Sequence, residues 1–467
     1  MTTKKAPVTM GGDIARFGFA IFLATVFGAV QVFAIPRKLD IATYGEYRIF
    51  LLWAGYIGVL HFGLADGAFL RWAGRPMGGI RHEAAVVTRW LIGIGVALLV
   101  LAVAASVVVS DPLSRVYLVG MALAALAMNT ATLIGYALQA AGDFRGAGRV
   151  AALSPGLFVA AIVFLPLHSL TAVLAAYVIS FGVAAAVGAL RITRAAFDET
   201  TAPPEALDFR VLMRTGIPVL GAITAASLSQ FGDRILVSVA VPITSFALYG
   251  FASSVMVTAN AATQALSRVA LSHAARLPAD GEARAVLLGG FYDLIAAGFG
   301  AAMAGVPLFE FLVGRTLPVY MPAIPIVRAL VVGSPFWVGI HVVLVGTLQS
   351  YGLVRKQLAL ELVGLALVVL LCGGLLLAHT ELWVVASGST AAAVVAWGFG
   401  IAYVRRLLPS AGEQPALRFA MISTIQGVAV LLALSLHASW LVQSAAYVAL
   451  GGVPTVVAAR AAQRHGW

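Results

Sequence analysis

The sequence predicts an all-α, polytopic membrane protein of about fourteen transmembrane helices, built as two pseudo-symmetric six-helix bundles followed by two C-terminal helices. Three observations carry this expectation. Hydrophobic residues make up 61% of the chain and charged residues only 10%, whereas water-soluble domains carry roughly a quarter charged residues. Apolar stretches long enough to cross about 30 Å of hydrocarbon recur along the whole chain, and in hydrocarbon only helices or closed barrels satisfy the backbone. Three short motifs also recur in the same order in the two halves.

Taken in order, the expected spans are 14–35, 47–69, 87–109, 116–138, 150–167 and 170–191 in the first half. The second half offers 213–240, 246–268, 286–313, 324–348, 358–378 and 382–403, and two further spans follow at 419–436 and 439–458. Between the halves lies the longest polar break in the middle of the chain, with Asp198, Glu199, Pro203, Pro204, Glu205 and Asp208. Prolines and acids in that density read as a linker. The organisation is therefore an N-terminal lobe at 1–192, a cytoplasmic linker at 193–212, a C-terminal lobe at 213–404 and an appendage of two helices with a tail at 405–467.

The repeats support the duplication. Leu138-Gln139-Ala-Ala-Gly142 returns as Leu348-Gln349-Ser-Tyr-Gly352, and Ile41-Ala-Thr-Tyr44-Gly-Glu-Tyr47 returns as Ile243-Thr-Ser-Phe246-Ala-Leu-Tyr249. A weaker pair, Arg16-Phe-Gly18 and Arg214-Thr-Gly216, stands where the first span of each half begins.

Net charge is +11. With the N-terminus inside, Lys4, Lys5, Arg71, Arg75, Arg145, Arg149, Arg191, Arg194, Arg355, Lys356, Arg405, Arg406, Arg460 and Arg464 all fall on the cytoplasmic side, as does the C-terminus. That is the positive-inside pattern, so the charge is a topology signal and no nucleic-acid partner follows from it. The 48 glycines read mainly as helix-packing contacts. Tryptophans such as Trp53, Trp72, Trp90, Trp337, Trp383 and Trp440 read as interface anchors. A lone Cys372 in an apolar helix, scattered histidines and the lack of a Walker loop give no metal site, no nucleotide site and no cofactor. Outward loops are all short, which disfavours a membrane polysaccharide polymerase or ligase. Such an enzyme needs an extramembrane loop to hold catalytic carboxylates.

Ionisable residues within spans are costly, by about 2.5 to 3.5 kcal/mol each, and are functional candidates by default. Arg214 and Arg234 lie twenty residues apart, about 30 Å along a helix, and Arg16 and Arg37 are spaced almost identically. With Arg328, these five arginines are the candidates for gripping a phosphate bidentately, the first four framing the two ends of a central cavity. Arg16 and Arg214 serve equally well as stops that keep their helices from sliding. Asp66 and Asp233 are candidate ion-coupling groups, with Asp233 also suited to pair with another helix and Asp66 to snorkel. Asp293, Glu310 and Glu361 lie near span ends, where snorkelling to the interface is the expectation.

The Tyr44-Gly-Glu-Tyr47 segment, the Gly63-Leu-Ala-Asp66-Gly67-Ala-Phe-Leu-Arg71 end of the second span and the Leu-Gln-x-x-Gly repeats together resemble the polysaccharide-biosynthesis flippases. These are the Wzx-type branch of the multidrug, oligosaccharidyl-lipid and polysaccharide (MOP) exporter superfamily. The resemblance covers nearly the whole chain through loose, mostly structural motifs. It implies two six-helix bundles around a central cavity that opens alternately to either side. The implied cargo is undecaprenyl-diphosphate-linked oligosaccharide moved from the cytoplasmic to the periplasmic leaflet of the bacterial inner membrane. A cationic cavity would meet the diphosphate, and membrane lipids, a polysaccharide polymerase and a chain-length regulator would be partners. On this reading the chain is a transporter and not an enzyme. A peptidoglycan-precursor flippase and a multidrug or metabolite exporter of the same superfamily are the alternatives, since fold does not dictate substrate.

Overall fold

The computed structural model describes residues 10–195, 207–274, 282–350, 353–407, 413–436 and 438–464. Much of the expected linker therefore lies outside the described residues. Those residues are helical almost throughout and contain no strand. Twelve helices are long and apolar enough to cross a membrane, a bent pair adds a thirteenth, and a shorter apolar stretch at Ile243–Thr258 stands at the remaining expected position. Every stretch read from the sequence coincides with a helix or a pair of helices.

The chain divides into two compact units, Met1–Thr224 and Ala225–Trp467. In the first, α1 (Met10–Lys38) packs on α6 (Phe144–Phe164). The helix α5 (Pro112–Ala140) packs on α4 (Met77–Val108), α6 and α7 (Leu170–Ala195). The second span is α2 (Ile41–Ala54), a short 3-10 turn at Ile57–His61 and α3 (Leu64–Trp72), bent by 62° where a single helix was expected. Phe62 and Gly63 both take left-handed backbone there, at φ 51° and 75°. Such φ values cannot continue a right-handed helix, so the span breaks.

The division falls within α8 (Phe209–Ala240). In the second unit α9 (Ile243–Ala274) packs on α12 (Ile324–Val338), which packs on α15 (Leu382–Leu407). The span at 286–313 is interrupted at Gly305, between α10 (Glu282–Ala304) and α11 (Val306–Thr316). Continuing α12, Gly339–Leu344 winds as a π-helix before α13 (Val345–Ser350). The remaining helices are α14 (Val354–Leu377), α16 (Glu413–Ser435) and α17 (Trp440–Arg464).

Local hydrogen bonding explains the two strong repeats. The Asp143 N–H donates to Leu138 O at 2.8 Å, and the Leu353 N–H donates to Leu348 O at 2.9 Å. Both are the six-to-one bond found at helix C-termini, and at the first of them Gly142 takes left-handed backbone at φ 78°. At the other repeat α1 and α8 each end two residues before the next helix, and Tyr44 and Phe246 donate back to Asp40 O and Pro242 O. Tyr44 and Tyr47 are buried, as are their counterparts Phe246 and Tyr249. The third repeat has no such basis: a Cβ at Gly18 would meet open space, whereas Gly216 touches the backbone of Gly63.

The last two helices are keyed into α10. Arg418 pairs with Asp293, Gln426 donates to Ala296 O at 3.0 Å, Tyr447 to Gly300 O at 2.9 Å and Ser444 to Ala304 O at 3.2 Å. These acceptors recur along α10 at intervals of three or four residues, one face of a helix. A Cβ at Gly300 would collide with Thr455 Oγ1 and Gln426 Nε2.

Helix ends in the first unit are capped by acids. Asp40 accepts the Ala42 and Thr43 N–H groups at 3.0 Å each, and Asp111 accepts that of Ser114 at 2.8 Å. Asp143 caps α6 through the Gly146 N–H at 2.9 Å and takes a two-pronged contact from Arg191, Nη2 to Oδ1 at 2.9 Å. Burial pushes the Asp143 carboxyl up, but the Arg191 and Gly146 hydrogen bonds outweigh it and hold the group below its ordinary value. A carboxylate depressed on folding adds stability above its unfolded pKa, near about 3.9, and loses it as pH falls through the lower folded value. Thermal unfolding in detergent should therefore separate wild type from Asp143→Asn at neutral pH, with the gap closing below about pH 4.

Candidate functional site

Polar groups inside the first unit gather at two places. At the break in span two, the Gly63 N–H donates to His61 Nδ1 at 3.2 Å, and His61 Nε2 stands 3.8 Å from Asp66 Oδ2. Both side chains are buried. Asp66 therefore does not snorkel, because α3 packs against α5 and α4 and buries it. At the end of α3, the buried Glu83 accepts from Arg71 Nε at 3.0 Å, Trp72 Nε1 at 3.0 Å and Arg75 Nη1 at 3.1 Å.

In the second unit a small cavity of about 20 Å³, room for about one water, is lined by Gln230, Asp233 and Arg234 of α8, Ser334 and Trp337 of α12 and Ser389 and Thr390 of α15, among others. Both Asp233 oxygens have a partner. Its Oδ2 accepts the Tyr249 hydroxyl at 2.6 Å and its Oδ1 the Arg234 backbone N–H at 2.8 Å. The Arg234 guanidinium carbon lies 4.3 Å over the Phe231 ring, a cation–π contact. Gln230 Nε2 is buried with no protein acceptor. Asp233 and Arg234 thus share one cavity, and Asp233 acts as a tie between α8 and α9.

The other expected site residues stand apart. Arg16 lies in α1, its side chain outside the described residues. Arg37 is exposed in the last turn of α1, and Arg214 is exposed near the start of α8. Helices α1 and α8 correspond at an offset of 202 positions, which places Arg234 opposite Val32 rather than Arg37. The near-equal arginine spacing is therefore not a repeated register. Arg328 holds Glu310 in a two-pronged pair at 2.7 and 2.6 Å.

Glu310, Asp293 and Glu361 were expected to snorkel, and all three are withdrawn into the unit with partners. Asp293 and Glu361 are fully buried, facing Arg418 and His341 respectively. Glu361 Oε1 lies 3.0 Å from His341 Nδ1, and its Oε2 accepts the Ser229 hydroxyl at 2.8 Å. His341 stacks on Trp337 with ring centroids 5.5 Å apart and an interplanar angle of 6°. Trp72 and Trp337, expected as interface anchors, are core residues. His341, Ser229 and Gln230 are the residues that sequence reasoning missed. The available signal was a histidine inside an apolar span, which qualifies as an intramembrane ionisable group.

Long apolar helices recurring through both units define a multi-pass helical membrane protein, and its fold is shared with solved transporters. Among solved structures the chain is similar to the lipid II flippase MurJ in an inward closed conformation, with TM-score 0.64 and 11% identity over 95% of this chain and 97% of that one. It is also similar to an inward-facing multidrug resistance MATE family transporter of the MOP superfamily, with TM-score 0.60 and 16% identity over 85% and 96%. A MOP superfamily transporter from Pyrococcus furiosus gives TM-score 0.58 and 15% identity over 85% and 96%. No protein-family model and no curated protein matches the sequence.

Proposed function

We propose that this chain is a flippase that moves undecaprenyl-diphosphate-linked oligosaccharide from the cytoplasmic to the periplasmic leaflet in polysaccharide biosynthesis, by alternating access. The supporting observation is the extent of the likeness to a lipid flippase, 95% of the chain against 85% for the MATE transporter. Exposed cationic groups fit a diphosphate headgroup, whereas an exporter of cationic drugs calls for acidic ones. The same likeness favours one second reading, a peptidoglycan lipid precursor as cargo, which is also a diphosphate lipid. Arg37, Arg214 and Arg234 are the proposed phosphate contacts, together with Arg16. Arg328 is already committed to Glu310.

The test is translocation of a fluorescent undecaprenyl-diphosphate oligosaccharide in proteoliposomes, scored by accessibility at the far leaflet, with a lipid II analogue in parallel. Protein-dependent transfer that is lost in the Arg37→Ala, Arg234→Ala double variant, with insertion intact, is the expected result. Transfer undiminished in the variant removes the arginine assignment. No transfer of either lipid by correctly inserted wild type removes the flippase reading in favour of export of soluble solutes.

A further inference from the structure

Among the described residues each unit buries a histidine beside a carboxylate, and each pair lies where a membrane-spanning helix departs from α geometry. His61 and Asp66 flank the 62° break of span two, and His341 lies in the π-helical stretch Gly339–Leu344 facing Glu361. π-helical insertions are frequent at functional sites. The second pair is the more tightly built.

The 3.0 Å contact between His341 Nδ1 and Glu361 Oε1 needs a proton between the two atoms. With that proton on Nδ1 the imidazole is neutral, the carboxylate is ionised and the pair carries a net charge of minus one (from the proton count of the two groups). Glu361 is fully buried, and its donors are the Ser229 hydroxyl and Nδ1–H. An ion buried with so little compensation is costly. His341 Nε2 then presents a bare lone pair. It is buried, on a side chain only 8% exposed, and has no protein hydrogen-bond partner. A proton arriving there turns imidazole into imidazolium, brings the pair to zero net charge and breaks none of its hydrogen bonds. The parallel face of Trp337 is set to favour that cation.

The charged and titratable groups on the surrounding helices are engaged elsewhere or distant along the chain. On α8, Asp233 accepts from Tyr249 of α9 and the Arg234 N–H, and Arg234 lies over Phe231. On α10, the Tyr292 hydroxyl meets Thr347 Oγ1, and Asp293 pairs with Arg418 of α16. Arg328 of α12 pairs with Glu310 of α11. Arg355 and Lys356 sit in the first turn of α14 and Arg405 and Arg406 in the last turn of α15. On α14, Cys372 lies three turns beyond Glu361 and donates to Val385 O.

We propose that His341 Nε2 is a proton-binding site, at which uptake of one proton from water neutralises the His341–Glu361 pair inside the second unit. A role for that proton as the driving ion rests on the transporter reading above; the binding itself does not.

The experiment is a pH titration of tryptophan emission of the purified full-length protein in detergent. A protonated imidazole against the Trp337 ring quenches its emission, so wild type should show one transition on acidification. The transition should vanish in His341→Gln and in Trp337→Phe, the latter assigning the signal among eight tryptophans. In Glu361→Gln the midpoint should move, because the anionic partner that faces the imidazole is gone. A flat wild-type titration, or a transition that persists in His341→Gln, overturns the proposal. If that variant does not fold, a transition persisting in Trp337→Phe or an unmoved midpoint in Glu361→Gln overturns it equally. Protein that titrates as described but transfers no lipid-linked sugar leaves the proton site standing and sinks the flippase reading; transfer without titration does the reverse. Transfer that ignores an imposed pH gradient removes the driving role alone.

Discussion

Gly216→Val is expected to be among the most damaging single substitutions in the first unit, lowering the stability of the detergent-solubilised protein by about 3 kcal/mol or more. A Cβ at Gly216 would strike Gly63 O and come within 2.7 Å of Gly67 N. In return, a Cβ at Gly63 would lie 2.6 Å from Gly216 C and Ile217 N, and one at Gly67 would collide with Leu212 O. Gly63 and Gly67 form a glycine-x-x-x-glycine face on which the backbone of α8 rests. Hydrocarbon provides no hydrophobic drive between helices, so such backbone approach carries the association. Every atom struck belongs to backbone, which cannot swing aside as a flexible side chain can. A reversible unfolding titration of wild type against Gly216→Val and Gly221→Val checks this. Gly221 is the control, since a Cβ there meets nothing. Equal stability of the two variants would refute the contact.

Glu83→Ala is expected to cost about 2 to 4 kcal/mol. The residue is 1% exposed and accepts hydrogen bonds from Arg71, Arg75 and the fully buried Trp72 indole. Its removal leaves the indole N–H without its acceptor in the core and takes away the carboxylate that Arg71 and Arg75 share. Both arginines are about a quarter exposed, so water recovers part of the loss, and the figure lies below that for a wholly buried pair. Glu83→Gln keeps an acceptor and should cost less. The same unfolding titration decides, and a loss as large in the glutamine variant as in the alanine variant would mean that hydrogen-bond geometry contributes nothing.

These two sites show what could be read from the chain and what could not. The glycine pair was visible as packing glycines within the second span, but its partner, α8, was not. Arg71 and Arg75 were legible only as positive-inside markers, and Glu83 drew no notice because it lies near a helix start where a solvated acid is ordinary. The two strong repeats were legible as sequence and proved to mark helix ends, because a helix end is built from residues within six positions of one another. The candidate site was less legible. Asp233 and Arg234 do line one cavity, but Arg328 is spent on Glu310, and Glu361 turned out to hold His341 where exposure had been expected.

By itself the sequence determined the membrane class, the placement of the apolar helices and the motif pairs of the two halves. A spanning helix closes its own backbone hydrogen bonds and must be apolar along its whole length, so each span is written locally. Only the tertiary structure decided the bend in span two, the keying of α16 and α17 into α10 and the partner of each buried charge. Ser229 and Glu361 are 132 residues apart, and Arg418 and Asp293 are 125 apart. Which side chains meet over such distances depends on how each helix is rotated about its axis and which neighbour it packs against, and no local spacing encodes either.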